Sequence, residues 1–365
     1  MISKIFNLNY LLIFLIILIT FVGAAGLYSA AGGSYNPWAS RHLIRLLGLL
    51  CLAILIAFID IKIIYKYAYL IFTLSLLLLC SVELIGVFGK GATRWINILG
   101  FSLQPSELIK ITIILALARF YHDLKFEEIK NIFNLFFPFL ILFLPFSLVV
   151  IQPDLGTALS ILILGVLILF ASGIRIWKFV LGFIFIVISI PVLLSFLKPY
   201  QRERVISFLN PDADALGSGY QLIQSKIALG SGGLSGKGFL EGTQSYLQYL
   251  PEKQTDFIFT LIGEEFGFIG SIFIIFLFFL VISVCFYISI KSIHVFGRIL
   301  SIGVGTNIFI YVIMNISMVS GLMPVVGIPL PLVSYGGSAM LSIMISIGLV
   351  LNVELNANLK KLKYA

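Results

Sequence analysis

Charge is what this sequence has least of. Only 11% of its 365 residues are Asp, Glu, Lys or Arg, while 60% are hydrophobic; soluble domains carry roughly 25% charge. So few polar side chains cannot cover a water-soluble globule of this length. The mean hydropathy of +1.12 says that the solvent is mostly lipid. Cysteine and histidine are nearly absent, with three of each. Cys51, Cys80 and Cys285 sit singly inside apolar runs and read as small buried hydrophobes without CxxC spacing. His42, His122 and His294 form no HExxH or other zinc spacing. Thiol, haem and zinc chemistry are therefore disfavoured, and no metal site is expected. A Walker A loop is missing too: in Gly230-Ser-Gly-Gly-Leu-Ser-Gly-Lys-Gly238, Ser231 stands where the first glycine should be and Gly238 follows Lys237. That stretch reads as a turn, with a backbone nest for an anion as the alternative. The net charge of +8 comes without any nucleic-acid motif and fits Lys and Arg gathered in cytoplasmic loops.

What is present is a series of long apolar runs. A spanning helix needs roughly 20 such residues, and runs of that kind lie at 10–30, 43–60, 66–87, 103–120, 135–151, 155–172, 177–196, 257–288, 299–320 and 333–353. The first is too long for a signal peptide and stays in the protein. Gln152-Pro153-Asp154 separates the fifth run from the sixth, and the eighth is long enough to tilt or to begin outside the hydrocarbon. Positive residues in short loops (Lys62, Lys66, Arg119, Lys125, Lys130, Arg175, Lys178, Lys291, Arg298) and in the tail put both termini in the cytoplasm. The expected fold is an all-α polytopic membrane protein of about ten spans, a single transmembrane domain over 1–365, with one long extracytoplasmic loop at 197–256. Within that loop, Tyr220–Leu229 has apolar residues at helical spacing, which suits an amphipathic helix lying on the membrane.

Ionisable residues in or against the bilayer are functional candidates, because a charge at mid-depth costs several kcal/mol. Asp256, in Thr255-Asp256-Phe257, has two readings: a first-turn residue behind a Thr255 cap, or a general-base carboxylate at the water–lipid boundary. Glu107 and Lys110, in Gln104-Pro-Ser-Glu-Leu-Ile-Lys110, are i, i+3 neighbours behind a Pro105 at the first helical position; an architectural or tuning ion pair is the favoured reading. Lys90, Arg94, Arg202 and Arg204 are outer-face cations that either snorkel or grip an anion such as a pyrophosphate. Glu264 and Glu265 face a polar interior, and Asp154 reads as a helix cap. The charge-free Met323–Gly337 segment, with three Pro and three Gly, is a re-entrant loop buried in protein.

These residues fall into ordered motifs: Gly-Ala-Thr-Arg-Trp (91–95), Gln-Pro-Ser-Glu-Leu-Ile-Lys (104–110), Gln-Pro-Asp-Leu-Gly-Thr-Ala (152–158), Phe-Leu-Asn-Pro (208–211), Gln-Ser-Lys-Ile-Ala (224–228), Thr-Asp-Phe-Ile-Phe (255–259), Gly-Glu-Glu (263–265) and Pro-Leu-Val-Ser-Tyr-Gly-Gly-Ser (331–338). In that order they resemble the SEDS family (shape, elongation, division and sporulation proteins), over roughly residues 40–353. Gly-Thr-Gln-Ser (242–245) and Leu-Pro-Glu-Lys-Gln-Thr-Asp-Phe (250–257) favour the elongation branch over the division branch. The resemblance implies a peptidoglycan glycosyltransferase of the bacterial inner membrane that polymerises lipid II into β-1,4 glycan strands. It implies Asp256 as the catalytic carboxylate and an activity-linked Glu107–Lys110 pair. A class B penicillin-binding protein, a transpeptidase, is the implied partner. No cofactor is implied, although a divalent cation (Mg2+ or Mn2+) on the pyrophosphate suits the chemistry. The rival readings are a lipid II flippase and a non-catalytic scaffold of the elongation complex; the outer-half placement of the candidate residues argues against a path through both leaflets.

Overall fold

The structure, a computed structural model, describes residues 7–89, 92–98, 101–129, 131, 133–195, 208, 218–243, 250 and 252–357. Helices dominate. The longer ones, in chain order, are α1 (Tyr10–Ala30), α2 (Ala39–Phe58), α3 (Ile61–Ile85), α4 (Pro105–Asp123), α5 (Phe136–Ile151), α6 (Leu155–Ala171), α7 (Ile176–Ser195), α8 (Ser218–Ser231), α9 (Ile258–Lys291), α10 (Val295–Val319) and α11 (Gly337–Leu355). Several start on side-chain caps that the sequence supplies. Asn9 accepts from Leu12 N, Asp60 from Lys62 N, Asp154 from Thr157 N and His294 Nδ1 from Gly297 N, each satisfying an amide that the first helical turn leaves open. Pro105 opens α4, where its missing N–H costs nothing. The turn at Gln152–Asp154 separates α5 from α6 as its composition predicts.

Among the described residues, seven helical stretches are long and apolar enough to cross a bilayer: α1, α2, most of α3, Phe133–Ile151 (which contains α5), α9, α10 and α11; α6, at 17 residues, is apolar but shorter. With the outward faces carrying exposed Phe14, Leu47, Leu77, Phe139 and Phe279, this is a multi-pass membrane protein. Burial sorts the spans. In α10 and α11, 78% of the most apolar window is inside the protein, against 22% in α2. These two helices are the centre, packed on α2, α4, α6 and α9, and α4 is buried with them along nearly its whole length. Cys51 and Cys80 are exposed on such faces and only Cys285 is buried; a thiol is as well placed against lipid as in a core, so apolar flanks could not tell the two apart.

Three findings refine the sequence reading. First, the fold is mostly helical as expected but includes a little strand. Residues Val87–Gly89 (β1), Ala92–Ile98 (β2) and Phe101–Leu103 (β3) form a small antiparallel sheet between α3 and α4, with Phe88 opposite Thr93 and Asn97 opposite Ser102. Strand pairing satisfies the backbone groups of this connection. Second, α9 does not run straight or merely tilt: it breaks at Gly267 (φ 64°, ψ −158°). The break frees backbone groups, and the glycine-rich turn takes them up. Phe268 N donates to Gly233 O and Ile269 N to Leu234 O, while Lys237 N and Gly238 N donate to the carbonyls of Glu264 and Glu265. A Cβ on Gly236 would strike the Glu265 carbonyl, and one on Gly267 the Gly236 amide. The turn is thus a backbone clasp on a kinked helix, and its amides at 237 and 238 are not open to an anion. Third, α8 is helical where expected but packs on α9 and α10. Leu222, Ser225 and Ala228 are buried, and Ser225 Oγ lies 2.8 Å from Thr260 Oγ1 and donates to Val319 O at 2.7 Å. Its apolar face covers protein, not lipid.

Candidate active site

Asp256 lies just before α9, outside the helix. The helix begins at Ile258 with Phe257 as its cap residue and no side-chain cap bond. Thr255 turns its hydroxyl back to Glu252, 2.8 Å from Oε2. Neither Thr255 nor Asp256 occupies the capping position assigned to it from sequence. The reason is tertiary: the segment is held from outside by the last loop. Ser334 Oγ donates to Thr255 O at 2.6 Å, Tyr335 N donates to Gln254 O at 2.9 Å, and the buried Asn315 of α10 donates from one Nδ2 to Asp256 O (2.9 Å) and to Ile328 O (2.7 Å). The carboxylate itself stands against that loop, since a Cβ on Gly327 would lie 3.4 Å from Asp256 Oδ2. Gly327 has φ +74°, a backbone conformation that glycine adopts without strain. The charge-free loop 323–337 is the wall that fixes this segment, buried in protein as its composition predicted.

Glu107 and Lys110 do form an ion pair, Nζ to Oε1 2.9 Å, with Lys110 only 1% exposed. A third group, Tyr311 of α10, completes it: its hydroxyl bonds to both Glu107 Oε2 and Lys110 Nζ, and Lys110 Nζ sits 4.0 Å over the Tyr311 ring. Tyr311 and Asn315 are i, i+4 on one face of α10, one helical turn apart. A single helix therefore carries the ion pair at one level and Asp256 at the next. Sequence reasoning missed both residues. The signal was there, a Tyr and an Asn at helical spacing inside the 299–320 run, where a polar amide must find a partner.

Of the outer cations, Arg94 is described. It extends from β2 toward the α5–α6 turn, where its guanidinium bonds to Pro153 O and lies 3.9 Å from Asp154 Oδ2. Asp154 also caps α6 and accepts from Gln104 Nε2 at 3.2 Å. Arg94 thus ties the sheet to two helix starts and shares its charge with a carboxylate. Lys90, Arg202 and Arg204 lie outside the described residues. Glu264 and Glu265 face inward as expected. Lys237 Nζ reaches Glu264 Oε1 at 2.8 Å, and the Ser29 hydroxyl donates to Glu265 Oε1. Beside Glu265, Lys253 and Gln254 line a cavity of about 870 Å³ that reaches the end of α1 and the turn before α2. Burial pushes the Lys253 ammonium below the usual lysine range, and the Glu265 carboxylate works against that shift. Among the described residues no three His, Cys, Asp or Glu side chains gather as a metal cage.

Comparison with known proteins agrees with the motif order. A family model described as cell cycle protein, FtsW/RodA/SpoVE, matches residues 3–359. Peptidoglycan glycosyltransferase MrdB of Escherichia coli K12 is 39% identical over 343 residues, 93% of this chain and 92% of that protein. Among solved structures, a chain of a peptidoglycan synthase complex that coordinates polymerization and crosslinking superposes with a TM-score of 0.83 at 29% identity, covering 97% of this chain and 99% of the other. The rod shape determining protein RodA of Thermus thermophilus superposes with a TM-score of 0.72 at 28% identity, covering 96% and 98%.

Proposed function

The chain belongs to the FtsW/RodA/SpoVE family, and from that premise we infer that it is a peptidoglycan glycosyltransferase of the RodA kind, which polymerises lipid II for cell elongation. The observation that carries the site assignment is the clamp on residues 254–256 from Asn315, Ser334 and Tyr335. It holds the backbone of Asp256 in place just before α9. In this reading Asp256 accepts the proton of the acceptor sugar's 4-hydroxyl, and that oxygen attacks the anomeric carbon of the donor. The new C–O bond forms as the bond to undecaprenyl diphosphate breaks, with inversion. Diphosphate charge in the transition state is met by outer-face cations, with Lys90, Arg202 and Arg204 joining Arg94. Electrostatic stabilisation of that kind is commonly the largest contribution. The Glu107–Lys110–Tyr311 group acts at one remove, by setting the position of α10 and, through Asn315, of Asp256.

The topology that serves this chemistry has ten spans, both termini in the cytoplasm and the Asp256 end of α9 on the outer face of the cytoplasmic membrane. The positive residues in the short loops support that orientation. A class B penicillin-binding protein, which cross-links the strands, is the proposed partner; the similarity to a chain of a complex that couples polymerization to crosslinking supports it.

The test is polymerisation of purified lipid II by wild type and by Asp256→Asn, each co-purified with a candidate class B partner. Polymer from wild type and none from the folded variant is the expected result. Equal polymer from both would return Asp256 to a structural role. None from either, with a working positive control, would turn the assignment toward lipid transport.

A further inference from the structure

The cavity beside Glu265 is not used by the chemistry above, yet it abuts it. Its walls come from the end of α1 (Ser29), the turn before α2 (Asn36, Trp38), the segment leading to Asp256 (Lys253, Gln254) and α9 (Glu265). Gln254 and Lys253 precede Asp256 by two and three residues, and the peptide carbonyl of Gln254 is pinned by Tyr335. What lines the cavity therefore moves with the catalytic carboxylate.

The chemistry of the walls selects the occupant. Ala30, Ala31, Pro37, Leu240 and Leu250 supply the apolar part of the wall, and the amides, hydroxyl and charges set among them make a mixed lining that a lipid tail has no use for. A diphosphate would want an excess of cations, whereas here one Lys faces one Glu. Side-chain amides, a hydroxyl, a carboxylate and a partly buried Trp are the set that recognises neutral sugars: hydroxyls bond to the polar groups and the ring's C–H face lies on the indole. Glu265 adds a second, independent observation. It is 2% exposed, and both the Ser29 hydroxyl and the Leu240 backbone hydrogen-bond to its carboxylate. A carboxylate offers about four lone-pair sites, so a ligand hydroxyl or amide N–H can still be accepted there. The volume, about 870 Å³, lies toward the upper part of the roughly 300–1,000 Å³ range of small-molecule sites, with room for a short oligosaccharide.

We propose that this cavity is a saccharide subsite that holds amino-sugar units of the glycan strand adjoining the reacting pair, with Glu265 and Asn36 as its polar anchors and Trp38 as its stacking surface. The proposal rests on the polymerase reading, but its test does not require turnover. Full-length Asp256→Asn protein carrying Trp95→Phe and Trp177→Phe leaves Trp38 as the one indole, and its emission is titrated with chitotetraose, a β-1,4 N-acetylglucosamine tetramer. Maltotetraose and inorganic pyrophosphate serve as the comparison ligands. The expected result is a saturable change with chitotetraose, absent with the other two. Glu265→Gln should weaken it about tenfold, as loss of one charge-assisted hydrogen bond would. Asn36 is exposed, so Asn36→Ala retains the fold if Glu265→Gln does not, and it should weaken binding in the same direction. No saturable response, an equal response to maltotetraose, or a response that neither variant alters would overturn the subsite. If the protein with native Asp256 polymerises lipid II while the titration fails, the polymerase stands and the subsite falls. If it does not polymerise, the premise itself has failed, whatever the titration shows.

Discussion

Replacing Asn315 by Leu should separate catalysis from stability. The Asn315 amide nitrogen ties together Asp256 O and Ile328 O, at 2.9 and 2.7 Å. Leu has the same branched shape and number of side-chain heavy atoms but no donor, so both carbonyls would lose the Asn315 bond inside the protein. Each buried polar group without a partner costs about 1–3 kcal/mol. Against that, the substitution also removes Asn315 Oδ1, which is buried with no hydrogen-bond partner. The expected net loss is therefore roughly 2–4 kcal/mol. A matched control lies at the far end of the central helices. Asn352 Nδ2 donates to the carbonyls of Ile56, Ala57 and Ile59 and touches nothing in the candidate site, so Asn352→Leu should lower the melting temperature at least as much. The two variants should diverge in the lipid II polymerisation assay. A reacting group displaced by about 1 Å loses on the order of 100-fold in rate. Asn315→Leu should therefore lose kcat by about that factor with KM within roughly twofold, while Asn352→Leu keeps both. If Asn315→Leu melts like the control and retains its kcat, then α10 does not position Asp256, and the coupling drawn here between the ion pair and the carboxylate is wrong.

Three more outcomes follow from the same geometry. Because the Glu107–Lys110 pair is buried, Glu107→Gln or Lys110→Met alone should each destabilise by about 3–5 kcal/mol, whereas the double variant should melt above either single one. Strict additivity of the two losses would show that the groups are not coupled. At the kink of α9, Gly267→Ala must strain a left-handed backbone and strike the Gly236 amide; it should lower the melting temperature sharply. Gly48→Ala, where a Cβ meets open space within α2, should be neutral or stabilising by up to about 1 kcal/mol, and equal effects at the two sites would rule out the clasp. His294 caps α10, and burial lowers its pKa from the model-peptide 6.5. Above pH 6.5 the ring is neutral whether folded or not. Below it the unfolded chain takes the proton first, so stability falls with pH through that window. Replacing His294 by Asn, which also caps, should flatten the acid limb of a melting-temperature profile; an unchanged limb would assign it to another group.

How much was legible in the sequence can be judged from particular residues. Periodicity and caps are local, so the long helices, the break at Gln152–Asp154 and the Glu107–Lys110 pair could be read directly: a pair three residues apart on a helix has no choice but to be neighbours. The motif order was equally local and led to the family. What could not be read depended on which backbone a segment meets. Thr255 and Asp256 carry every mark of a helix start, yet Ser334, Tyr335 and Asn315, some 60 to 80 residues downstream, hold them outside the helix. The glycine run looked like a loose turn because nothing in it says that a kink at Gly267 lies opposite with four backbone groups to satisfy. The face of α8 was amphipathic in either case; only packing decides whether its apolar side covers lipid or protein, since both reward the same residues. By itself the sequence determined the solvent, the helices and the chemistry available at each position. The tertiary structure decided which of those groups share a wall, because a hydrogen bond between distant segments is fixed by packing and leaves no period in the chain.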